Sequence, residues 1–585
     1  RRQRQMCIRD SVYAEWEFLK DLKLKVSLGM DIMYLKQNKY TPSNIYQSLG
    51  IASAKVGVNR SINWLNENIL TWNKTFKDIH SLNILGGFTI QRNNVESVTG
   101  ASSNFVNDVM KYNNLGAGSI YDKPESSATQ WSLMSYLARI NYSLYDRYLF
   151  SVNGRVDGSS RFGGNNKYGF FPSGSVAWRI SEEGFMEPVK AVINNLKLRT
   201  SYGFTGNTEI GVYESLATLE SNSWTIGNQL VSGFYPNRIP NPDLKWEKTG
   251  QFDIGFDLGL FNNRLRLTAD YYYKKTTDLL YNVAIPSASG YDSMLKNIGS
   301  VQNKGYELSI ESDNLSGAFS WTTAFNISFN RNKVLELGGE TYKDVGTYDD
   351  HLKTSDIRRL IVGQPIGVFY GYRFDGIFQN EAECAQQTSS PSPIGVGLRR
   401  YKDLNGDGKI DATNDREILG DANPKFFGGM TNTFAYRGFE LNVFLQYSYG
   451  NKIFNYNAME LESPTGGQNV YQDLVNRWTP TNPSNEYQKA TTNRNNIVSD
   501  RFIEDGSFLK LKTVSLSYSF PKLNWKHIGG LRLYVTGQNL LTWTKYRGYD
   551  PEVSYRGAST LEAGEDFGGY PQARTFMFGI KLDIK

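Results

Sequence analysis

The chain has 585 residues, with 64 Lys and Arg against 58 Asp and Glu, and 14% of it is aromatic. Its mean hydropathy is −0.47, and it contains no run of about 18 apolar residues, which excludes a transmembrane helix. The formal net charge of +6 is small for this length, so the charge balance argues against a nucleic-acid-binding surface.

The first residues, RRQRQMCIRD, resemble the translation of a sequencing adapter. We therefore interpret residues 1–11 as non-native and exclude them from reasoning about the fold. The first ten residues hold four Arg and one Asp, so about half of the net charge lies there. They also hold Cys7, which leaves Cys384 as the only other cysteine and gives no disulfide framework.

The dominant pattern is alternation of apolar and polar residues with a period of two, which is typical of β-strands. In LRLTADYYYKK, residues 265–275, apolar residues fall on one face and most polar residues on the other. The preceding segment QFDIGFDLGLF, residues 251–261, alternates in the same way, and the short NNR turn between them predicts a β-hairpin. Residues 306–312 and 319–330 form a second predicted hairpin around DNLSG.

Further segments with this alternation bring the predicted number of strands to roughly eighteen. They are residues 22–30, 81–90, 131–157, 196–204, 428–449, 508–520, 530–540 and 575–584. Many have about the ten residues that a tilted strand needs to cross a bilayer. Short connectors alternate with long polar ones. The predicted long loops are at about 91–130, 205–248, 275–303, 331–366, 375–427, 450–507 and 541–573.

Short turns at one end and long loops at the other are typical of outer-membrane barrels. We therefore predict an all-β fold: a transmembrane antiparallel β-barrel in the cell outer membrane, with long extracellular loops and a periplasmic C-terminus. Between residues 330 and 374 the alternation is irregular, and the sequence predicts either a short extra strand near 357–362 or more loop. A set of soluble β-sandwiches is the alternative fold.

Residues 403–415, DLNGDGKIDATND, follow most of the template of a calcium-binding loop. The predicted ligands are the side chains of Asp403, Asn405, Asp407, Asp411 and Asp415 and the carbonyl of Lys409. Asn414 occupies the closing position, the last carboxylate comes one residue late, and the flanking sequences do not predict helices. The loop is therefore not an EF-hand, and it holds either a structural Ca²⁺ or an Asx/Gly turn with solvated charge.

The sequence offers little catalytic chemistry. Its histidines, His80, His351 and His527, are scattered and give no zinc spacing. It has no G-x-S-x-G elbow and no P-loop, so we predict that the protein is not an enzyme and requires no cofactor. Aromatic residues of the long loops are candidates for stacking on sugar rings. Trp224 and Tyr235 are the predicted substrate contacts because they lie in the middle of a loop.

Longer motifs point to a known family. They are DRYLFSVNGRVDGSSRFG (146–163), FPSGSVAWRISEEGFM (171–186), LKWEKTGQFDIGFDLGLFNNRLRLTADYY (244–272), GQPIGVFYGYRFDGIFQ (363–379), NPKFFGGMTNTFAYRGFELNVFLQYSYGNKIFN (423–455) and LRLYVTGQNLLTWTKYRGYDPE (531–552). In these motifs and their order, the chain resembles the SusC/RagA family of TonB-dependent outer-membrane transporters. The resemblance covers residues 12–585, which we interpret as the C-terminal part of the barrel.

The resemblance implies a barrel of about 22 strands that is filled by an N-terminal plug. It also implies a SusD-like surface lipoprotein as a lid, and coupling to TonB–ExbB–ExbD through a periplasmic TonB box. The implied cargo is an oligosaccharide or an oligopeptide, and the implied surroundings are outer-membrane lipid. We expect the plug, the TonB box and the first strands to belong to a part of the protein that this chain lacks. A passive porin-like channel and a secreted carbohydrate-binding β-protein stay open as alternative functions.

Overall fold

A computed structural model describes most of the chain: residues 2–291, 293–346, 357–463, 469–492, 496–520, 528–557 and 559–584. His351, His527 and part of the predicted loop 331–366 lie outside these residues. Within them, no helix is both long enough and apolar enough to span a membrane. The chain divides into two compact units. Unit 1 comprises Arg1–Arg179, Arg199–Phe252 and Thr276–Gly299, and unit 2 comprises Ile180–Leu198, Asp253–Lys275 and Ser300–Lys585.

Unit 1 consists mainly of long antiparallel strands. The strands up to the boundary with unit 2 are β1 (Arg2–Leu19), β2 (Leu22–Thr41), β3 (Ser53–Phe76), β4 (His80–Phe105), β5 (Gly118–Tyr121), β6 (Glu125–Leu144), β7 (Tyr148–Ser159), β8 (Tyr168–Arg179), β9 (Ile193–Asn207), β10 (Thr218–Ile226), β11 (Gln229–Arg238), β12 (Glu247–Leu260), β13 (Leu265–Thr277), β14 (Leu280–Ala284) and β15 (Ser293–Asn297). β1, β2, β3, β4, β6, β7 and β8 each pair with the next one named. β9, β12 and β13 have residues in both units.

Unit 2 combines a second antiparallel ladder with several small sheets. Its strands are β16 (Ser300–Leu315), β17 (Phe319–Glu336), β18 (Tyr342–Val345), β19 (Arg358–Ile361), β20 (Val368–Tyr372), β21 (Phe374–Ile377), β22 (Arg399–Tyr401), β23 (Arg416–Asp421), β24 (Phe426–Tyr436), β25 (Phe439–Tyr449), β26 (Lys452–Asn455), β27 (Ile503–Asp505), β28 (Phe508–Ser519), β29 (Ile528–Thr544), β30 (Glu565–Asp566) and β31 (Thr575–Ile584). β16, β17, β24, β25, β28, β29 and β31 each pair antiparallel with the next one named.

Helical structure is confined to short segments of the connections. The α-helices are α1 (Glu381–Cys384) and α2 (Tyr456–Leu461). Single 3₁₀ turns lie at Tyr46–Ser48, Lys111–Asn113, Leu115–Ala117, Ile180–Glu182, Gly184–Val189, Ser287–Ser289, Gln472–Asn476 and Asp500–Phe502.

Connections of unequal length alternate along the ladder of each unit, as predicted. In unit 1 the turn between β3 and β4 is short because Lys77 and Asp78 adopt φ of 52° and 54°, the left-handed conformation that tight hairpin turns require. In unit 2, β16 and β17 are joined just as tightly, whereas the connection from β17 to β24 holds six small strands and a helix.

The predicted strands are confirmed, but several boundaries are wrong. The predicted loop 91–130 is largely strand, because β4 continues to Phe105 and β6 begins at Glu125. None of the predicted segments covered β3. In residues 91–105 and 125–130 both faces are mostly polar, so the alternation on which the prediction rests disappears. In β3 the apolar face is interrupted by Arg60, Asn66 and Asn68. The short extra strand near 357–362 exists as β19, which pairs with β18 and β20 in a small sheet.

Candidate functional site

The calcium-like loop, residues 403–415, lies between two strands of unit 2. β22 ends shortly before it and β23 begins directly after it, so the prediction that it is not a helix–loop–helix is confirmed. Ile410 anchors the loop, since it is 2% exposed and packs in a cluster with Tyr372 and Tyr401. Its backbone N–H also donates to the Ser389 carbonyl oxygen at 2.9 Å. The loop is therefore fixed to its neighbours by protein contacts.

The carboxylates of this loop accept hydrogen bonds from its own backbone. Asp403 Oδ1 and Oδ2 accept from the N–H groups of Gly406 and Gly408, each at 2.7 Å. Asp415 is fully buried, and its two oxygens accept from the N–H groups of Leu404 and Asp411, each at 2.8 Å. These bonds close the loop in the manner of Asx turns.

Asn405, Asp407 and Asp411 complete the pattern. Asp407 Oδ1 accepts from the Lys409 N–H at 2.8 Å, and Asn405 Nδ2 donates to Asp407 Oδ2 at 3.0 Å. Hydrogen bonds from the Asn414 and Thr413 N–H groups lower the pKa of Asp411. Across the part of the chain that the structure describes, no three His, Cys, Asp or Glu side chains are grouped to hold a metal. The carboxylate oxygens of the loop accept hydrogen bonds from its own N–H groups, and the structural Ca²⁺ stays a prediction.

Replacing Asp407 by Ala tests that prediction. If the loop closes around Ca²⁺, the Asp407→Ala variant melts at a lower temperature than the wild type only when calcium is present. Thermal unfolding of both proteins with calcium and with a chelator measures this, and identical melting under both conditions contradicts the ion site. Ile410→Ala is the control, because Ile410 is buried and its side chain is not a predicted ligand. It removes packing that fixes the loop, so a loss of about 2–5 kcal/mol is expected with or without calcium.

The predicted substrate contacts Trp224 and Tyr235 lie side by side on one face of the β10–β11 hairpin in unit 1. Their ring centroids are 6.3 Å apart at an interplanar angle of 85°, the edge-to-face arrangement that aromatic pairs favour. Both rings remain accessible, at 41% and 37% exposed. Tyr235 Oη donates to Glu220 Oε2 at 3.0 Å. This hydrogen bond, and to a smaller extent burial, raises the pKa of Tyr235.

Two glycines make this aromatic pair possible. The hairpin turns at Gly227 and Asn228, whose φ values of 58° and 65° match the tight turn favoured between strands. Gly233 lies beneath Trp224, because a Cβ built there would come within 2.2 Å of the indole ring. Trp246, from the same predicted loop, differs: it is 7% exposed and packs with Phe162 in a core cluster. Its ring is therefore not available for stacking.

Sequence reasoning gave no role to a cavity of about 600 Å³ beside this loop in unit 1. Its lining includes Gln130, Ser132, Lys167, Tyr213 and Leu216. The Tyr213 hydroxyl accepts the Gln130 backbone N–H at 3.0 Å, which attaches the loop to the edge of β6. A cavity of this size, with mixed polar and aromatic walls, lies within the range of small-ligand sites.

The long connections of unit 2 fold around a core of their own, which we call the loop core. It consists of Ile357, Phe369, Phe454, Tyr456, Ala458, Met459, Val498 and Phe502. Beside it, Arg358 Nε contacts Glu565 Oε1 at 3.0 Å, and both side chains are 1% exposed. Burial lowers the pKa of the Arg358 guanidinium and raises the pKa of the Glu565 carboxyl. The ion pair joins β19 to β30, which are remote in sequence.

A second buried cation fixes the connection that follows β29. Lys510 of β28 is 1% exposed, and its Nζ contacts Asp550 Oδ1 at 2.7 Å and Glu552 Oε2 at 2.5 Å. Burial alone would raise the pKa of both carboxyls. The hydrogen bonds that they accept, first among them those from Lys510, outweigh this effect, so each pKa lies below its ordinary value.

These features are typical of one class of protein, in which antiparallel strands expose apolar residues and short turns alternate with long, folded connections. A family model described as "TonB dependent receptor-like, beta-barrel" matches residues 9–377, and the chain belongs to the TonB-dependent receptors, whose barrels lie in the outer membrane. The predicted all-β barrel fold is thereby confirmed, and similarity to SusC and to the RagAB transporter confirms the SusC/RagA resemblance.

Individual relatives show which members of this family the chain is similar to. TonB-dependent receptor P3 of Formosa agariphila is 39% identical over 584 residues, which is 98% of this chain and 58% of the relative. TonB-dependent receptor SusC of Bacteroides thetaiotaomicron is 32% identical over 472 residues, which is 78% of this chain and 44% of the relative. The structure of the RagAB peptide transporter aligns with a TM-score of 0.85 at 26% identity, over 99% of this chain and 62% of that one. This chain spans less than two thirds of each.

Proposed function

We propose that the chain is the barrel part of a TonB-dependent importer. It carries oligosaccharides or oligopeptides across the outer membrane together with a SusD-like lipoprotein, and TonB–ExbB–ExbD supplies the energy. The observation that carries the proposal is the similarity along almost the whole chain to SusC in sequence and to the RagAB peptide transporter in structure. The relatives are receptors or transporters by name, which favours transport over catalysis.

The exposed aromatic pair and the neighbouring cavity of unit 1 support a cargo larger than a single small solute. Flat rings such as those of Trp224 and Tyr235 offer an apolar face that binds a sugar ring or a peptide side chain with little loss of conformational freedom. The cavity lined by Tyr213 and Gln130 includes other residues of the same predicted loop and adds hydrogen-bonding groups. We place the cargo contacts of the proposed importer on these residues.

Deleting the intact gene and growing the cells on single glycans or single peptides as carbon source tests the proposal. Loss of growth on one such nutrient, restored by the gene in trans, supports import and identifies the cargo class. Unchanged growth on every nutrient tested contradicts it. A neighbouring gene for a SusD-like lipoprotein beside glycoside hydrolases would indicate glycans, whereas neighbouring peptidases would indicate peptides.

Replacing Trp224 by Ala is expected to weaken binding of that cargo about tenfold, which is about 1.4 kcal/mol. The variant removes an exposed ring without disturbing a core. Binding of the identified glycan or peptide to the purified full-length protein measures the effect. Phe234→Ala is the matched control, since Phe234 is 75% exposed and lies on the opposite face of the same hairpin. Equal affinities of both variants and the wild type would exclude the aromatic pair from the cargo site.

A further inference from the structure

The β16–β17 hairpin of unit 2 has one apolar face. The opposed pairs on this face are Ile310–Phe325, Leu308–Ile327 and Tyr306–Phe329, whereas the other face carries polar residues such as Glu307 and Ser309. Tyr306 is 63% exposed and Phe329 is 38% exposed. An apolar face that remains exposed on a strand of an outer-membrane barrel is the face that contacts lipid.

The next positions on the same face are cationic. Lys304 lies directly opposite Arg331, and Lys333 lies opposite Gln302; all three cations are exposed. Like charges directly opposite each other on a ladder destabilise it. We call Lys304, Arg331 and Lys333 the cation cluster.

No described residue supplies a negative charge to this cluster. Nη1 of Arg331 donates to the carbonyl oxygens of Asn330 and Lys425, each at 2.9 Å, and these groups are neutral. Within the residues described, no carboxylate forms an ion pair with any member of the cluster. A fourth cation, Lys275, extends the same face. It is exposed and lies on the same side of β13 as Tyr273, whose Oη donates to Gln302 Oε1 at 3.4 Å. The cluster therefore lacks an anionic partner from the described chain.

The position of the cluster along the strand matches the edge of the lipid. From Phe319, beside the short turn, to Arg331 the strand runs about 40 Å at 3.4 Å per residue. A tilt of about 35–45° turns this into about 30 Å along the membrane normal, just beyond an apolar band of about 25 Å. Aromatic rings mark that edge, since the centroids of Phe329 and Phe426 are 5.8 Å apart and those of Phe426 and Tyr449 are 5.1 Å apart.

We propose that the cation cluster binds the phosphorylated head group of a lipid in the outer leaflet. The cluster supplies the charge for a phosphate, and the apolar pairs next to it supply the surface for the acyl chains of the same molecule. A free phosphate ion would contact only the cation cluster and not the apolar pairs, so the occupant is a phosphate that is linked to a lipid. The inference goes beyond cargo import, and it rests on the proposed function only for the position of β16 and β17 in the outer membrane.

Titration of the purified full-length protein in detergent tests this. The probes are phosphorylated lipid A, the same lipid after removal of its phosphates, and inorganic phosphate, and native mass spectrometry counts the bound lipid. We expect the wild type to prefer the phosphorylated lipid. Each of Lys304→Gln, Arg331→Gln and Lys333→Gln should weaken that binding about fivefold, and the triple variant about 100-fold.

The matched control is a triple variant in which Lys55, Lys123 and Lys296 are replaced by Gln. These lysines are exposed and lie outside the apolar face of the β16–β17 hairpin. The control should bind the lipid as the wild type does. Lys304→Arg should also keep full binding, and heat-modifiable migration on a gel shows that each variant is folded. Equal binding of the phosphorylated and dephosphorylated lipids, wild-type binding by the cluster variant, or displacement of the lipid by equimolar inorganic phosphate overturns the inference. Absence of the wild type from the membrane fraction would instead contradict the proposed function.

Discussion

Replacing Arg358 by Met is expected to destabilise the loop core by up to about 3–5 kcal/mol, because the buried Glu565 carboxylate then keeps only its longer contact with Arg556 Nε, at 3.4 Å. Arg358 also stacks over the Phe369 ring at 4.2 Å and donates to the Gly367 carbonyl oxygen at 2.7 Å. Since loops open locally without unfolding the barrel, the suitable measurement is hydrogen exchange or limited proteolysis of the segments around β19 and β30.

The pH dependence of this loss has a definite sign. Burial holds the pKa of Glu565 above its ordinary value, and loss of Arg358 raises it further. A carboxyl whose pKa is raised in the folded state is compatible with folding mainly while it is protonated. The free-energy cost of burying the carboxylate therefore appears as the pH rises through that pKa. The Arg358→Met variant should therefore lose less stability at pH 5 than at pH 8. The double variant Arg358→Met, Glu565→Gln should regain part of the loss at pH 8. A loss that neither acid nor the double variant reduces would contradict the buried ion pair.

Replacing Lys510 by Met should cost a similar amount, about 3–5 kcal/mol, because Asp550 loses the cation that it contacts and Glu552 keeps only the partly exposed Lys512. Here the wild-type carboxyls have lowered pKa values. Their contribution is present above the unfolded-state pKa values of about 3.9 and 4.3 and is lost as the pH falls through the folded-state values. Protease sensitivity of the connection after β29, followed from pH 7 to pH 3, measures it. The variant should be more sensitive at pH 7, and its difference from the wild type should shrink as the pH falls towards 3.

Lys512→Met is the matched control for this experiment. Lys512 Nζ contacts Glu552 Oε2 at 3.0 Å, but its side chain is 25% exposed. Because a partly exposed ion pair contributes little, the control should lose less than about 1 kcal/mol. Equal sensitivity of the two variants at pH 7 would mean that burial of Lys510 is not what stabilises the connection.

Much of the fold follows from the sequence because a lipid-facing strand must alternate. The period-two pattern located β12, β13, β16 and β17 directly. It did not locate β3, because Arg60, Asn66 and Asn68 interrupt the otherwise apolar face of that strand.

The candidate site was only partly predictable, because most of it depends on contacts between remote residues. Trp224 and Tyr235 were selected for lying in mid-loop, whereas their shared face follows from the register of a hairpin. The Gly227–Asn228 pair could have predicted that hairpin, since such dipeptides favour two-residue turns. Arg358 and Glu565 are separated by 207 residues, and nothing local in either segment predicts the pair.

The most direct test of the account is uptake of labelled cargo by cells that carry the intact gene. The cargo is the glycan or peptide on which the deletion strain fails to grow. Uptake is compared between wild-type cells, cells treated with a protonophore, and cells whose protein lacks the TonB box. The account predicts saturable uptake in the wild type and its loss in both other cases. Uptake that continues without energy coupling and rises in proportion to cargo concentration would contradict it and indicate a passive channel.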